Sequence, residues 1–511
     1  MQEVEFRLLG DCLTHNGASR HLAEPDWDRF AAWTDTYHDL AWRPDADDAL
    51  LALGRDIHAW LDGNERWLAA LRELADGPVI ADFAVPGTPS AQDRQFLEVP
   101  WELAATGDTW LAADPAMMWA PLRRIGAVAT PPPPNPTHRL GVMFMAAAPR
   151  GQTNLDIEAE EVAILRATAE LGLDLTVEDS GTLREMSQAW HAAGTLDALH
   201  LCCHGMGGDA PFLALEDADG DPAKATLEDL AGGFVQGRPR LVFLSACHTG
   251  EGDETVDSLA SSLIRVGFPT VLGWADAVSD RDASAFAAAF YARAAQPRTT
   301  VQATWAAARY DLLRQQRPPV HWHLARLFLG RTGGGALSAG TAARQRDDPD
   351  AGRKGVLDAP GRQIDVASRF EFVGRRRQVQ AIQRAFRHKT HAGAVILGLG
   401  RQGKSSLAAR VIDRHPELMP VVLFRACDGP TLLAELSRKV DGARRFAPAT
   451  ATRSIRIEPA STNRTRCSTR CGRCCKDRAA IGAKAASRSY CCWTISRPCS
   501  TRPPARMTFT V

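Results

Sequence analysis

Residues 196–208 read LDALHLCCHGMGG, and residues 241–250 read LVFLSACHTG. Each stretch begins with an apolar run as long as a typical strand, and polar residues and a glycine follow this run. Such runs are typical of strands in a parallel sheet that helices cover on both faces. In such a sheet, the residues that follow the carboxyl ends of neighbouring strands lie at the same edge. We therefore expect His204, after the first run, and Cys247, after the second, to face one another.

The sequence around these two runs alternates strand-like and helical stretches. Further strands are predicted at 140–146, 173–177 and 270–275, and helices at 156–171, 183–193, 258–266, 283–294 and 303–313. This alternation predicts an α/β fold with a mostly parallel sheet and helices on both faces.

Composition and charge narrow the class of protein. The chain has 511 residues, 45% of them hydrophobic, which is enough for at least two cores of ordinary size. From residue 450 onward there are 13 basic and two acidic residues, so the preceding part is mildly acidic and has no basic stripe indicative of nucleic-acid binding. The start has no signal-peptide pattern, and no apolar run approaches about 18 residues, so a cytoplasmic protein without a membrane span is expected.

A histidine and a cysteine at one sheet edge have the chemistry of a nucleophilic thiol. The imidazole favours the thiolate or relays protons, and the thiolate attacks an acyl carbon. The negative oxygen formed needs backbone N–H donors, for which Gly205 and Cys247 are the natural suppliers. The alternative is structural, because cysteine is a common small core residue and a His-Gly pair often serves only as a turn.

Four motifs occur in order: ALHLCCHG at 198–205, LED at 215–217, LVFLSACHTG at 241–250 and GFPTVLG at 267–273. With VPWEL at 99–103, they resemble the CHAT family of caspase-like cysteine peptidases over roughly residues 98–330. The resemblance implies a His/Cys dyad of His204 and Cys247, an oxyanion site at Gly205, and a protein or peptide substrate.

Other polar residues near these motifs are interpreted as structural. His200 lies inside a predicted strand and is expected to be a hydrogen-bonded core histidine, with Cys202 and Cys203 as buried thiols. His321 and His323 could suggest a metal pair, but no third ligand of suitable spacing follows, so no metal site is predicted.

A second motif, GLGRQGKS at 398–405, fits the phosphate-binding pattern G-x-x-x-x-G-K-[ST]. It follows a strand-like run at 394–397 and precedes a predicted helix at 406–412. The backbone around the glycines can surround a phosphate, a lysine adds positive charge, and a serine hydroxyl can ligate magnesium. The residues predicted to bind ATP and Mg are Gly398, Gly400, Gly403, Lys404, Ser405 and Ser406. The chain has only seven lysines, which makes a chance match rare.

Together with FVGR at 372–375, this loop resembles the STAND class of signal-transduction ATPases. The resemblance implies a nucleotide-gated module that controls an attached effector, assembles into homo-oligomers and serves immunity-like systems, here bacterial defence. Such a module also needs an acidic strand that holds magnesium.

Past residue 450 the hydrophobic periodicity vanishes, and seven cysteines lie among arginines. Zinc binding is disfavoured, because 467, 471, 474 and 475 have no second pair at knuckle spacing. We interpret the tail as a frameshifted translation. Reading 489–500 from each third codon base permits LLLLDDFEAVL, a strand with the missing paired aspartates. The tail as written is then expected to be disordered, and the coding DNA tests this hypothesis.

Five parts are predicted: an N-terminal supporting subdomain at 1–95, a caspase-like peptidase domain at 96–330, a flexible linker at 331–368, the start of a P-loop ATPase domain at 369–450, and the tail at 451–511. The preferred function is a cysteine endopeptidase regulated by the attached nucleotide-binding module, with ATPase activity lost in this chain. The alternative is a catalytically inactive caspase-like scaffold whose assembly is switched by ATP binding.

Overall fold

The computed structural model forms two compact units, residues 1–348 and 349–511. In the first unit it describes residues 1–339 apart from 42, 44, 135–138, 153–154, 172, 195, 207–211, 236, 248–255 and 316–320. In the second unit it describes residues 366–367, 372, 375–387, 393–414, 419–424, 429–445, 490–495 and 509–510.

The first unit is built from short strands and amphipathic helices in alternation. Its strands are β1 Gln2–Leu9, β2 Cys12–His15, β3 Ala18–His21, β4 Val79–Val85, β5 Ala105–Thr106, β6 Thr109–Trp110, β7 Ala120–Ile125, β8 Leu140–Ala146, β9 Leu173–Glu178, β10 Ala198–Met206, β11 Phe212–Glu216, β12 Pro222–Thr226, β13 Leu241–Cys247, β14 Thr270–Trp274 and β15 Ala325–Leu329. Its helices are α1 Glu24–Leu40, α2 Asp47–Asp62, α3 Trp67–Leu74, α4 Ala91–Glu98, α5 Ile157–Thr168, α6 Leu183–Ala193, α7 Leu227–Gly233, α8 Val256–Arg265, α9 Asp280–Ala294 and α10 Val301–Leu313.

Thirteen of these strands form one sheet. The order is β12-β11-β10-β13-β14-β15-β7-β4-β1-β2-β3, with β8 beside β10 and β9 beside β8. Strands β9, β8, β10, β13 and β14 are parallel, and so are β15, β7, β4 and β1. The two parallel groups join where β15 runs antiparallel to β14. The predicted mostly parallel sheet is confirmed.

Helices cover both faces of the sheet. On one face, the Ser245 hydroxyl of β13 donates a hydrogen bond to the Glu160 carboxylate of α5. On the other face, Gly273 of β14 lies between Leu244 of β13 and Ala260 of α8, since a Cβ added there would be 3.9 Å from the Cβ of each. Successive residues of β13 therefore face opposite sides of the sheet, each side with a helix nearby, as the apolar runs predict.

The sheet continues through the boundary expected near residue 95. The predicted supporting subdomain is not separate, because β1 and β4 pair in parallel and β4 pairs with β7 in the same sheet. Stacked aromatic rings extend along this part, with ring centroids of Phe6 and Phe83 5.1 Å apart and those of Phe83 and Trp101 4.5 Å apart. Alternating polar residues in β1 hide this strand from a search for continuous apolar runs.

A buried charge network lies beside β7 and β15. Both carboxylate oxygens of Glu102 accept hydrogen bonds from the Arg123 guanidinium, and both side chains are 0% exposed. Burial by itself raises the pKa of Glu102, but Arg123, Arg326 and Arg309 outweigh it and hold the pKa below its usual value. Burial lowers the pKa of Arg309 and of Arg326 to about 10.

The second unit contains α11 Arg376–Arg387, α12 Lys404–Asp413, α13 Gly429–Arg445, and a three-stranded sheet of β16 Met419–Phe424, β17 Tyr490–Ile495 and β18 Phe509–Thr510. Buried residues from α11, α12 and β16 form its core, among them Val379, Leu407, Val411 and Val422.

Two sequence-based expectations differ from the structure of this unit. Residues 394–397, predicted as a strand, form no helix or strand and are not paired with any described strand. Ile396 packs into the core, whereas Val395 and Leu397 are exposed. The predicted disordered tail includes β17, which pairs in parallel with β16. Its aromatic and β-branched residues favour strands, and this propensity explains the difference. The rest of the tail, apart from β18, lies outside the described residues.

Replacing Glu102 by alanine is expected to destabilise the first unit by about 3–5 kcal/mol, because three buried guanidinium groups lose the carboxylate they share. Urea unfolding measures this loss. The matched control is Asp108→Asn, at an exposed carboxylate 3.7 Å from Arg55, which is expected to leave the midpoint unchanged. Equal midpoints for both variants would contradict the structural role of the network.

Candidate active site

The two residues singled out from the sequence are neighbours in the sheet. Strands β10 and β13 are parallel, and their register pairs His204 with Cys247. Adjacent strands lie about 4.8 Å apart, so the two backbone positions are directly side by side. The His204 side chain is 2% exposed.

Both residues lie inside strands rather than after them. The sequence predicts that the first strand stops at residue 203, whereas β10 continues to Met206 because β11 pairs with its end in antiparallel fashion. This pairing sets His204 opposite Ala214 and Gly205 opposite Leu213. Strand β13 likewise includes Cys247 as its last residue. The glycine-rich continuations at 207–208 and 250 lie outside the described residues.

The buried carboxylate of Glu160, on α5, contacts side chains of both β10 and β13. Glu160 Oε1 accepts a hydrogen bond of 2.7 Å from Ser245 Oγ on β13 and lies 3.3 Å from His200 Nε2 on β10. The Cys202 side chain on β10 also hydrogen-bonds to this carboxylate. His200 Nδ1 lies 3.2 Å from the Tyr291 hydroxyl of α9. We call Glu160, His200, Cys202, Ser245 and Tyr291 the Glu160 network.

The environment of Glu160 keeps it ionised. Burial raises its pKa, but the neighbouring His200 and the hydrogen bonds from Ser245 and Cys202 outweigh burial, so the net pKa lies below its usual value. Burial, with the Glu160 charge as a second cause, raises the pKa of Tyr291 well above its usual value. A negative charge is therefore fixed beneath β10 and β13.

The prediction that His200, Cys202 and Cys203 are buried in the core is confirmed. His200 is fully buried, its ring stacks on Phe144 with centroids 4.9 Å apart, and the side chains of Cys202 and Cys203 are also buried. His323 Nδ1 lies 2.9 Å from the Tyr37 hydroxyl. His321 Nδ1 lies 3.1 Å from an Asp282 carboxylate oxygen.

Sequence reasoning did not find Glu160, although a signal was present. The buried face of α5 includes Ile157, Glu160, Ile164 and Thr168, which follow helical spacing. A carboxylate on such a face is unusual, because glutamate is almost never fully buried unless it has a partner. That position therefore indicates a buried polar contact even without coordinates.

The residues predicted to bind phosphate lie around the start of α12. Gly403 caps this helix with φ 70°, a left-handed conformation that favours glycine. The Lys404 ammonium donates hydrogen bonds to the carbonyl oxygens of Gly398 at 3.0 Å and Leu399 at 2.6 Å, across the loop. Ser406 Oγ accepts a hydrogen bond from the Ala367 backbone N–H at 2.9 Å, so this serine anchors a neighbouring segment. Gly400 and Ser405 lie in the same described stretch.

Part of the first unit resembles a known protein family. Residues 88–338 match the family model of the CHAT domain. Among solved structures, the chain is similar to the Arg specific cysteine proteinase gingipain R, with 10% sequence identity, a TM-score of 0.31, and coverage of 58% of this chain and 76% of that chain. No curated protein matches the sequence.

Two kinds of feature are absent from the described residues. No helix there is both long and apolar enough to cross a membrane. No group of three or more His, Cys, Asp or Glu residues there is arranged to hold a metal ion.

The register between β10 and β13 can be tested by cross-linking. In the His204→Cys variant, two cysteines occupy positions about 4.8 Å apart, within the range of about 4.4–6.8 Å between Cα atoms that disulfides span. We expect mild oxidation to link this residue to Cys247, which mass spectrometry of proteolytic peptides detects. Leu201→Cys is the control, because Leu201 pairs with Leu244 and lies three residues away along the strand. A Cys247 cross-link in the control but not at 204 would show a different register.

Proposed function

We propose that the CHAT domain is a cysteine endopeptidase in which Cys247 is the nucleophile and His204 its acid–base partner. The observation that carries this proposal is the register that pairs the two residues on adjacent parallel strands. The CHAT match over 88–338 supports the same class of activity. Paired positions of neighbouring strands present their side chains to one face, as a thiol and an imidazole that share a proton require.

The proposed reaction has two halves. The Cys247 thiolate attacks the carbonyl carbon of a peptide bond, and the oxygen that becomes negative accepts hydrogen bonds from the backbone N–H groups of Gly205 and Cys247. His204 takes up the thiol proton and gives it to the departing amine, which leaves an acyl-enzyme. Water, deprotonated by the same imidazole, then hydrolyses the thioester and restores the thiol.

Substitution of either dyad residue is expected to abolish this activity. Cys247→Ala and His204→Ala should each lower the rate of peptide cleavage by about 10³-fold or more, because both act in one chemical unit. The cleaved peptides of a proteome digest supply the substrate. Cys12→Ser, at a free thiol on β2, is the control and should cleave normally.

A probe of the thiol distinguishes the enzyme from the scaffold alternative. A peptide with an electrophilic ketone should label Cys247 in the unmodified protein and in Cys12→Ser, but should label no residue rapidly in Cys247→Ala. A protein that neither cleaves nor reacts with the probe would be a caspase-like scaffold. Cleavage that persists in Cys247→Ala would overturn the assignment of the nucleophile.

We further propose that the second unit binds ATP and Mg and thereby controls the assembly of the chain. The residues fit a phosphate: a left-handed glycine precedes a helix N-terminus, and an ammonium is held over the same loop by two carbonyl oxygens. When bound, phosphates would take over these contacts of Lys404, with the loop backbone around Gly398, Gly400 and Gly403 as further donors. The Ser405 hydroxyl would contact magnesium, while Ser406 holds Ala367.

Lys404→Ala should weaken nucleotide binding by about 10- to 100-fold, as expected for loss of a charge-assisted hydrogen bond. Titration with a fluorescent ATP analogue measures this affinity. Arg438→Ala in α13 is the control, because Arg438 pairs with Glu435 outside the loop. Equal affinity of both variants would contradict a phosphate site at 398–405, and light scattering with and without ATP would test control of assembly.

A further inference from the structure

The Glu160 network takes hydrogen-bond donors from the two strands that carry the proposed dyad. Ser245 is two residues before Cys247 on β13, and Cys202 is two residues before His204 on β10. The register pairs Ser245 with Cys202, two residue pairs before the pair of His204 and Cys247. Two residues along a strand span about 6.6 Å, so the network ends close to the reacting groups.

Filling the space between α5 and the two strands does not require the polar groups of the Glu160 network. Glu160 and His200 are 3% and 0% exposed, and burial of an ionised carboxylate costs several kcal/mol unless its hydrogen bonds are satisfied. Apolar side chains of similar volume would fill this space without that cost. The two strands, however, would then lose an acceptor to which Ser245 of β13 and Cys202 of β10 both hydrogen-bond. The arrangement therefore favours a role in fixing β10 relative to β13.

We propose that Glu160 and Ser245 are positioning residues that hold the end of β13 against β10 and so set the separation of Cys247 and His204. This inference rests on the proposed function, because it assigns the network a task in that reaction. Glu160 acts from α5, through the 2.7 Å hydrogen bond to Ser245 and the contact with His200, and touches no reacting atom. A displacement of about 1 Å in such a geometry can lower a reaction rate by about 10²-fold.

The surroundings of the carboxylate determine how a substitution acts. The titratable groups that face it are His200 and Cys202 from β10 and Tyr291 from α9, and β13 contributes the neutral Ser245. Ser245→Ala removes only the hydrogen bond from β13 and leaves the charge of Glu160 in place. Glu160→Gln keeps the shape, removes the charge and weakens the hydrogen bond from Ser245, because a neutral amide oxygen is a weaker acceptor than a carboxylate. Because an imidazolium and a thiolate together carry no net charge, we expect loss of anchoring to dominate in both variants.

The test compares alkylation of Cys247 by iodoacetamide at pH 6 and pH 9, followed by mass spectrometry of its peptide. At pH 9 a cysteine is largely thiolate without help, whereas at pH 6 it reacts rapidly only if an imidazole is in place. Ser245→Ala and Glu160→Gln should each lower the rate of Cys247 alkylation at pH 6 by about 10-fold or more, a loss typical of residues that orient an active-site group. At pH 9 each should change this rate by less than about 2-fold. The double variant should resemble Glu160→Gln alone, since both act through one hydrogen bond.

Thr168→Ala is the matched control. It also removes a buried hydroxyl, one that donates to the Ile164 carbonyl oxygen in α5, and should leave both rates unchanged. In every variant, alkylation of the buried Cys203 would show that the protein has unfolded. If Cys203 reacts in Ser245→Ala or in Glu160→Gln, the conclusion is drawn from whichever of these two variants stays folded. If the unmodified protein reacts at pH 6 no faster than His204→Ala, the proposed dyad is wrong. If the dyad is active but both positioning variants match Thr168→Ala, the positioning role is wrong.

Discussion

The register between β10 and β13 is the constraint on which the rest of the structure depends. A parallel pair can be shifted only by whole residues, and a shift of one residue would turn every side chain of a strand to the other face. The apolar residues of both strands prevent such a shift, because Leu199, Leu201, Val242 and Leu244 are all at most 1% exposed. Packing thus places His204 beside Cys247.

Two buried carboxylates stabilise different parts of the same sheet. Glu160 connects α5 to β10 and β13, while Glu102 holds Arg123 on β7, near Arg326 on β15. Each is ionised because its partners outweigh the cost of burial. Folded-state pKa values below the usual value mean that these contributions to stability are present at neutral pH and are lost as the pH falls through the lowered pKa. Acid should therefore weaken both contacts.

Local pattern was sufficient to predict much of the first unit. The predicted helix at 183–193 and the strand at 140–146 have the observed bounds, because apolar runs and helical spacing report burial directly. The pairing of His204 with Cys247 agrees with the expected shared edge, since parallel strands end on one side. The extension of β10 to Met206 depends on β11, a partner without a strong local signal. Long-range pairing of β1 and β4 was hidden for the same reason.

The second unit shows where local reasoning fails. Residues 394–397 have strand-like composition but no described strand beside them, whereas β17 forms in a segment judged aperiodic. Strand propensity becomes a strand only where a neighbour supplies hydrogen bonds. Glu160 was not predicted as a site residue, because the predicted site included only residues at the ends of strands and Glu160 lies on α5.

A crystal structure of the protein treated with a peptide aldehyde tests the central claim most directly. The account predicts a covalent bond from Cys247 Sγ to the aldehyde carbon, the resulting oxygen within hydrogen-bond distance of the Gly205 backbone N–H, and the His204 imidazole on the same side of the sheet. An aldehyde bound to another residue, or an imidazole on the opposite face from the sulfur, would contradict it.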